Sequence, residues 1–326
     1  MLSPDPNSAS SSGPLVSVSI TAFNSENWLP RAIESAINQQ TAFPIEIVIA
    51  DDCSTDATLR VAHSYRERYP TVIRVIERSR NIGIQRNYYE AFEQCRGKYI
   101  AWLDSDDFWT DPEKLAIQVQ TLESDPSLNV CGHFVRWVST DGEVKRERYP
   151  SIAPGRYGLA EIIHHNFLPS VSVMFRNGIH RELPAWYFDL APVTDWPIYV
   201  LAALSGDIVL LDRVMADYTL APGSSLMSKG SLFWHTKDAQ FYEKIESILP
   251  STWQRIARAE KGRRYESMAY LLRKQGHFVA SRKAAFKAFC SPSPMDNGGS
   301  KTKSLLAAVI RETQWRLRGK PAAVAK

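Results

Sequence analysis

Short apolar runs alternate with amphipathic stretches through the first third of the chain. Four runs rich in Val and Ile have the length of buried strands, and between them apolar residues recur every three or four positions, as they do in helices. The predicted strands are 16–22, 45–52, 71–77 and 98–103. One predicted helix runs from Ile84 to Cys95, and another covers 113–123. This alternation predicts an α/β fold in which helices cover both faces of a mostly parallel sheet.

The pattern changes after residue 123. Alternating residues around an Asp-Gly pair, VCGHFVRWVSTDGEVKRERY, predict a β-hairpin. The next predicted elements are a short helix at 159–167, a strand at 170–176 and a helix at 194–207. Beyond about residue 230 the chain is predicted to be helical, basic and amphipathic. Its last helix, 301–318, sets Leu305, Ala308 and Ile310 against several Lys and Arg residues.

Composition adds limits to this picture. With 326 residues, 44% of them hydrophobic and 23% charged, the chain is typical of a globular protein with a sizeable core. The Ser- and Pro-rich segment 1–14 has neither the basic nor the apolar block of a secretory signal, and it is predicted to be a disordered tail. No apolar run is long enough to span a bilayer, and the four cysteines are scattered. We therefore expect a cytoplasmic protein with reduced thiols.

Charge is distributed unevenly along the chain. Residues 251–326 hold 17 of the 39 Lys and Arg but only 4 of the 35 Asp and Glu, a balance of +13, and the remainder has a balance of −9. A basic segment on an acidic body predicts an anionic partner such as membrane headgroups, nucleic acid or another protein; a solvated helical face is the alternative. No nucleic-acid-binding motif is recognisable, so no nucleic acid is expected. Basic and apolar residues together favour peripheral contact of the last helix with the inner face of the plasma membrane.

Acidic residues gather where two of the predicted strands end. Asp51 and Asp52 close the second strand, and Asp104, Asp106 and Asp107 follow the fourth. Because parallel strands share one carboxyl edge, where such sheets bind ligands, both groups are expected to meet at one site. Carboxylates spaced as Asp-x-Asp suit a divalent cation, Mn²⁺ or Mg²⁺, that takes its other ligands from water and a diphosphate. Taken alone, the triplet is more often an acidic turn or a helix cap.

Three segments carry a family resemblance in a fixed order: VSVSITAFNSENWLPRAIESAINQ, IEIVIADDCSTD and RNIGIQRNYYEAFEQCRGKYIAWLDSDD. Together they resemble glycosyltransferase family 2, the inverting nucleotide-sugar transferases with a GT-A fold. The resemblance covers residues 16–112 and continues more loosely to about 228. It implies a GT-A domain at 15–228, which is a Rossmann-like, mostly parallel central sheet flanked by helices. The basic region 229–326 would form a helical C-terminal extension.

The resemblance also implies roles for individual residues around a nucleotide sugar. The loop after the first strand would embrace the nucleoside, with Phe23 beside the base. Asp52 would read the edge of the base with support from Asp51. Asp106 would be the direct metal ligand, and Asp104 would lie near the ribose and the metal. The other donor-binding positions are Thr21, Ala22, Asn24 and Glu26 in the first loop, Ser105 in the acidic triplet, and Arg80, Asn81, Gly83 and Arg86 near the base and phosphates.

Asp195 matches the proposed catalytic base of the family. It lies in Thr194-Asp195-Trp196, where relatives often carry Glu-Asp, and it begins a predicted helix. A general base and an N-cap are both open and mutually compatible interpretations of Asp195. A second departure is at Thr219 and Ala221, which stand where relatives often have Tyr-Arg-x-His. One metal ligand would then be missing or supplied from elsewhere.

Together these expectations describe a cytoplasmic, metal-dependent inverting glycosyltransferase. It would move a sugar from a nucleotide-diphosphate donor, with a UDP-sugar as the first choice, to a glycan or a lipid-linked acceptor. The resemblance places such chains in bacterial surface polysaccharide biosynthesis. The alternative is a catalytically impaired relative that binds a nucleotide sugar and acts as a scaffold subunit, which the departure at Ala221 supports.

Overall fold

A computed structural model describes residues 13–220, 229–291 and 299–317. The chain divides into two compact units. The first comprises Met1–Tyr157, Phe167–Leu183 and Leu201–Leu220, and the second comprises Gly158–Asn166, Pro184–Val200 and Ala221–Lys326. The predicted tail at 1–14 lies largely outside the described residues. The second unit includes two segments that the sequence placed in the α/β domain, so the predicted boundary near residue 228 stays a prediction.

The sheet and its helices follow the predicted alternation. In chain order the elements are β1 (Val16–Ala22), α1 (Leu29–Ile37), β2 (Ile45–Asp51), α2 (Thr58–Arg68), β3 (Ile73–Glu77), α3 (Ile84–Glu93), β4 (Tyr99–Asp104), β5 (Phe108–Trp109), α4 (Lys114–Ser124), β6 (Leu128–Ser139), β7 (Val144–Tyr149), β8 (Gly155–Tyr157), α5 (Leu159–His164), β9 (Met174–Arg176), α6 (Trp196–Ser205) and β10 (Asp207–Leu220). The four strands predicted first coincide with β1 to β4 to within two residues.

The strands of the described residues form one mixed sheet. Its order is β3-β2-β1-β4-β9-β6-β10-β5, with β7 paired to β6 and β8 to β10. The first four strands in this order are parallel, and β9 runs antiparallel to β4 and β6. β10 returns parallel to β6. This arrangement confirms the predicted α/β fold with a mostly parallel sheet flanked by helices.

β1 lies inside the sheet, between β2 and β4, and this position explains why its sequence is mostly apolar. All seven residues of β1 are buried, the serines included. The Ser17 hydroxyl donates to Glu46 at 2.7 Å and accepts the Gly97 N–H at 2.8 Å. A central parallel strand is covered on both faces, so its polar side chains need partners inside the protein.

β10 is the main element that the sequence pattern did not predict. Its apolar run is interrupted by Asp212 and Arg213, and its register with β6 shifts between Leu211 and Val214. A bulge at two charged residues breaks the alternation by which a strand is recognised. The strand predicted at 170–176 is also shorter than expected, because residues 170–172 form a 3₁₀ turn.

Helices make up most of the described part of the C-terminal region, as predicted. They are α7 (Ser231–Ile245), α8 (Ser251–Lys274), α9 (Phe278–Phe289) and α10 (Gly299–Leu317). Across the parts of the chain that the structure describes, no helix combines the length and the apolar character needed to cross a bilayer.

Gly97 is too closely packed for a larger residue. A Cβ atom there would come within 2.6 Å of the Ser17 nitrogen and 2.8 Å of the Val16 carbonyl carbon, both in the backbone of β1. We expect Gly97→Ala to lower the free energy of unfolding by about 1–3 kcal/mol, because either β1 or the segment just before β4 must shift. Urea denaturation measures this loss. Gly13→Ala is the matched control, since nothing lies within 4 Å of a Cβ there, and equal stability of the two variants would contradict the close approach.

Candidate active site

Three strand ends lie side by side at the carboxyl edge of the sheet. β1 lies between β2 and β4, and its parallel pairing sets Ala22 opposite Asp51 and Thr21 opposite Asp104. Since neighbouring strands are about 4.8 Å apart, the ends of β2 and β4 are separated by roughly 10 Å. The loops that follow these strands carry most of the predicted site residues. They define the candidate site within the first unit.

The loops after β1 and β2 are fastened to each other through Asn24. The Asn24 N–H donates to Ser54 Oγ at 2.9 Å, and the Asn24 side-chain oxygen accepts the Thr55 N–H at 2.8 Å. Asn24 and Cys53 have φ angles of +50° and +62°, in the left-handed region that residues other than glycine rarely adopt. Strained backbone of this kind persists where surrounding contacts hold it, and it is common at functional sites.

Glu26 provides a second link between the same two loops. Its carboxylate accepts the Ala57 N–H at 2.8 Å, and its own N–H donates to the Asp56 carboxylate at 3.2 Å. Asp56 also accepts the Thr58 N–H at 2.9 Å, at the first residue of α2. Glu26 is therefore engaged in holding the loop. Between these fixed points the Phe23 ring is 49% exposed.

Asp52 fastens a third loop to the site. Its carboxylate accepts the N–H groups of Ile82 and Gly83 at 2.7 and 3.0 Å, and its own N–H donates to the Ala22 carbonyl at 2.9 Å. Gly83 has a φ of +85°, which favours glycine at this position before α3. Asp51 plays a similar local part, accepting the Ser54 N–H at 3.0 Å. In this structure both aspartates position backbone, and each Asp52 oxygen retains a lone pair for a ligand.

The other predicted residues of this third loop and of the first turn of α3 are exposed. They are Arg80 and Asn81 in the loop and Arg86 in α3, and the Asn81 side chain accepts the Gly83 N–H at 3.1 Å. The loop and the helix start therefore present two guanidinium groups next to a backbone that Asp52 holds in place. Thr21 and Ala22, in contrast, are buried at the end of β1.

Asp104 is held by three donors that the sequence did not identify. Tyr88 and Ser170 donate from their hydroxyls, Ser170 at 2.7 Å, and the Trp102 indole donates at 3.3 Å. Burial raises the pKa of Asp104, and these hydrogen bonds oppose that rise. Tyr88 lies on the apolar face of α3, where no pattern distinguishes its hydroxyl from a core ring. Ser105 is buried and donates to Ser25 Oγ at 2.8 Å, which joins the loop after β4 to that after β1.

Asp106 differs from Asp104 and Asp107, the other two carboxylates of what we call the acidic group at the end of β4, in its hydrogen bonding. Within the described residues, no other residue donates a hydrogen bond to its carboxylate, and its side chain is half-buried. Burial, and then the charge of Asp104, raise the pKa of Asp106 to about 6. A carboxylate in this state gains most from a nearby positive charge.

The acidic group is suited to share a cation with a ligand. Over the described ranges, no three or more His, Cys, Asp or Glu side chains are arranged to hold a metal by themselves. Asp104 and Asp106 fit a hard divalent cation that is completed by water and phosphate oxygens, because Mg²⁺-like ions seldom use an all-protein cage. The raised pKa of Asp106 and its lack of a donor agree with that role.

Asp107 connects the acidic group to β10. It is 2% exposed, and its carboxylate accepts the Thr219 N–H at 2.7 Å. Burial and the charges of Asp106 and Asp104 raise the pKa of Asp107 well above its usual range. Thr219, one of the two departures from the family pattern, is buried and serves this contact through its backbone. The other, Ala221, lies outside the described residues.

Asp195 belongs to the second unit, just before α6. Its carboxylate accepts the Trp196 N–H at 2.8 Å and the Asn166 amide at 3.1 Å. The position at the start of a helix agrees with the predicted N-cap, and it leaves the role of a base open. Trp196 is buried and stacks on Phe241 with ring centroids 4.3 Å apart, which makes it a core residue.

Comparisons with known proteins show which family and which fold the chain resembles. The family described as "Glycosyl transferase family 2" matches residues 17–183. An uncharacterised protein of Mycobacterium tuberculosis is 34% identical over 239 residues, which are 72% of this chain and 68% of the relative. The chondroitin synthase of Escherichia coli is 34% identical over 154 residues, 47% of this chain and 22% of the synthase. The crystal structure of S. aureus TarS residues 1–349 in complex with UDP-GlcNAc superposes with a TM-score of 0.65 at 19% identity, over 93% of this chain and 92% of that one.

Because the pKa of Asp106 is raised, we expect the protein to become more stable when this carboxyl is replaced by an amide, by an amount that depends on pH. Above pH 6 the folded state bears the full cost of an ionised Asp106, and this cost shrinks as the pH falls from 6 towards 3.8, the ordinary pKa, because the folded-state carboxyl is then already protonated. Without divalent cations, Asp106→Asn should therefore raise the free energy of unfolding by about 1–2 kcal/mol at pH 7.5, and the gain should become steadily smaller as the pH falls from 6 to 4. Urea denaturation across this range measures the difference.

The control for this measurement is Asp189→Asn, at an exposed aspartate of the second unit. It should change stability little at either pH. A loss of stability in Asp106→Asn at pH 7.5 would show that the ionised carboxylate is already compensated.

Proposed function

The chain belongs to glycosyltransferase family 2, and we propose that it transfers a sugar, with inversion and with the help of Mn²⁺ or Mg²⁺, from a UDP-sugar to a glycan or lipid-linked acceptor. The observation that carries this proposal is the common edge of β1, β2 and β4. There an exposed aromatic ring, Phe23, belongs to the same set of loops as the carboxylates Asp104 and Asp106. A nucleoside diphosphate offers a flat base at one end and anionic phosphates at the other, and this set of groups suits both.

The nucleoside end would lie against the braced loops after β1 and β2. Phe23 presents a face on which a base can stack. Asp52 can accept a further N–H from the edge of the base, as the imide of uracil would offer. The exposed Arg80 and Arg86 would offset phosphate charge. Uracil is our first choice also because TarS, which shares the fold, was crystallised with UDP-GlcNAc.

The diphosphate end would lie at the acidic triplet. Asp106 would be the direct metal ligand and Asp104 the second carboxylate, oriented by Tyr88 and Ser170. When bound, the divalent ion would stabilise the charge that develops on the leaving diphosphate. Because Asp106 ionises only above about pH 6 without a cation, cation affinity should weaken as the pH falls through that value.

Asp195 is the proposed catalytic base. Its carboxylate would take the proton from the acceptor hydroxyl while the acceptor oxygen bonds to the anomeric carbon and the bond to the diphosphate oxygen breaks. The Asn166 amide and the Trp196 N–H hold this carboxylate at the start of α6, where a helix dipole favours its ionised form. Attack on the face opposite the leaving group gives inversion.

A second candidate function is supported by a specific observation. Thr219 stands where relatives often have Arg; it meets Asp107 through its backbone N–H, and the guanidinium that relatives often have at this position is absent. A relative that binds the donor without turnover would serve as a scaffold subunit. The acceptor and the pathway are also proposals: the partial match to a chondroitin synthase supports polysaccharide assembly, and we place the enzyme in the cytoplasm of a bacterium.

Asp106→Asn should reduce sugar transfer by at least about 100-fold, because a direct metal ligand is lost while the fold is retained. The measurement is UDP release from a panel of UDP-sugars with Mn²⁺ and cell-envelope acceptors. Asp189→Asn should keep full activity. If wild-type protein binds a UDP-sugar by calorimetry and never releases UDP, the scaffold function replaces the transferase; full turnover by Asp106→Asn would remove the metal role.

Asp195→Asn should separate donor binding from chemistry. The amide keeps the size of the side chain but cannot accept a proton, so we expect an unchanged dissociation constant for UDP and a loss in kcat of about 10²–10⁴-fold. Calorimetry and a pH profile of kcat provide the two measurements. An Asn variant with an unaltered kcat would show that another group is the base.

A further inference from the structure

The buried apolar side chains of helices α8, α9 and α10 in the second unit are alanines, with Tyr265 of α8 as the exception, whereas α9 and α10 expose large ones. Their common core is formed by alanines, with a few larger residues packed around it. The core alanines are Ala269, Ala284, Ala285 and Ala308. Among the described residues ten large hydrophobic side chains are exposed, and six of these lie between 270 and 310. The usual order of residue sizes from core to surface is therefore inverted here.

Five of these exposed side chains form what we call the apolar face: Phe286, Phe289, Leu306, Val309 and Ile310. Phe286 and Phe289 are three residues apart on α9, and the three aliphatic residues follow the spacing i, i+3, i+4 on α10, so each set shares one side of its helix. Phe286 and Leu306 are both 58% exposed.

An ion pair ties α9 and α10 together. Arg282 Nε lies 2.6 Å from the buried Glu312 Oε2. The structure corrects the predicted amphipathic pattern of α10, because Leu305 packs towards the alanine core and Ala308 belongs to it, whereas Ile310 is exposed.

The charged residues of α9 and α10, the helices that carry the apolar face, are almost all positive. α9 carries three cations and no acidic residue in its sequence. Lys283, Lys287 and Arg311 are exposed. Two of the four acidic residues in 251–326, Glu260 and Glu312, are buried against basic partners and add little negative charge to the surface.

We propose that the apolar face is a docking surface for an anionic lipid membrane. Interfacial helices combine large apolar side chains, which enter the acyl boundary, with Lys and Arg, which meet the headgroups. Nucleic acid would match the cations but would leave the aliphatic side chains of α10 without apolar contact. A second copy of this basic surface would bring like charges together. An anionic bilayer has negative headgroups at its surface and acyl chains beneath them, so it matches both the Lys and Arg residues and the large apolar side chains.

Vesicle flotation tests this proposal with the full chain. Vesicles of phosphatidylcholine and phosphatidylglycerol should carry the protein, pure phosphatidylcholine should carry little, and high salt should release it. The pair Phe286→Ser, Phe289→Ser should weaken binding at least about tenfold. Its matched control is Val144→Ser, Leu204→Ser, two exposed apolar residues outside the apolar face that should leave flotation unchanged.

A label on Cys290 gives a readout that needs no substitution in the apolar face. This cysteine is exposed and follows Phe289, whereas Cys95 and Cys131 are buried; Cys53 is replaced by Ser so that one site reacts. An environment-sensitive dye at Cys290 should shift to the blue with anionic vesicles.

Three outcomes would overturn the proposal: no flotation of wild-type protein, equal flotation of the Phe286→Ser, Phe289→Ser pair, or a dimer in sedimentation velocity that the same pair dissolves. UDP binding, measured on the Phe286→Ser, Phe289→Ser pair, should remain unchanged. Failure of the membrane proposal is therefore distinct from failure of the transferase.

Discussion

The crowding of three carboxylates at the end of β4 is the constraint on which the site depends. Hydrogen bonds from other elements stabilise two of them: Asp104 receives donors from α3 and the 3₁₀ turn before β9, and Asp107 receives the backbone of β10. A hydrogen bond to a charged group contributes about 1.5–3 kcal/mol, so these contacts offset part of the cost of burial. Repulsion and burial raise the pKa of both Asp106 and Asp107, but only Asp106 combines partial exposure with the lack of a donor from another described residue. The fold thus leaves one carboxylate of the three open to a cation that a ligand brings.

The acidic residues at and after the end of β2 hold loops in place, whereas Asp106 offers an open carboxylate. Asp51, Asp52 and Asp56 accept backbone N–H groups and fix the loops among which Phe23 is exposed. A carboxylate that accepts hydrogen bonds from two N–H groups is stabilised in its ionised form without a cation. These acidic residues can therefore lie near the strand ends without needing to share the cation proposed at β4. The site therefore uses one residue type for two purposes, rigid positioning on one strand and charge on the other.

The sequence predicted β1 to β4 and the common edge well, because central parallel strands are continuous apolar runs and the carboxyl edge follows from their direction. Contacts made by single atoms could not be predicted. Nothing in the spacing shows that Asp52 binds the backbone of Ile82 and Gly83, since hydrogen bonding to a loop 30 residues away has no periodic pattern. β10 escaped prediction because its bulge carries two charged residues, and the partners of Asp104 escaped because Tyr88 resembles a core residue.

The proposed cation site and the proposed membrane surface have different electrostatic needs, which would account for the charge asymmetry of the sequence. A site that holds a cation needs a surplus of carboxylates, whereas a surface that binds anionic lipid needs a surplus of Lys and Arg. If these carboxylates and these Lys and Arg residues lay close together, within a Debye length of about 8–10 Å, each set would weaken the electrostatic field of the other. The apolar face adds a second argument: each large side chain left in water forgoes about 1.5–3 kcal/mol of burial, while alanines fill the core beneath it. Such an arrangement is consistent with helices whose large side chains serve a surface outside the chain.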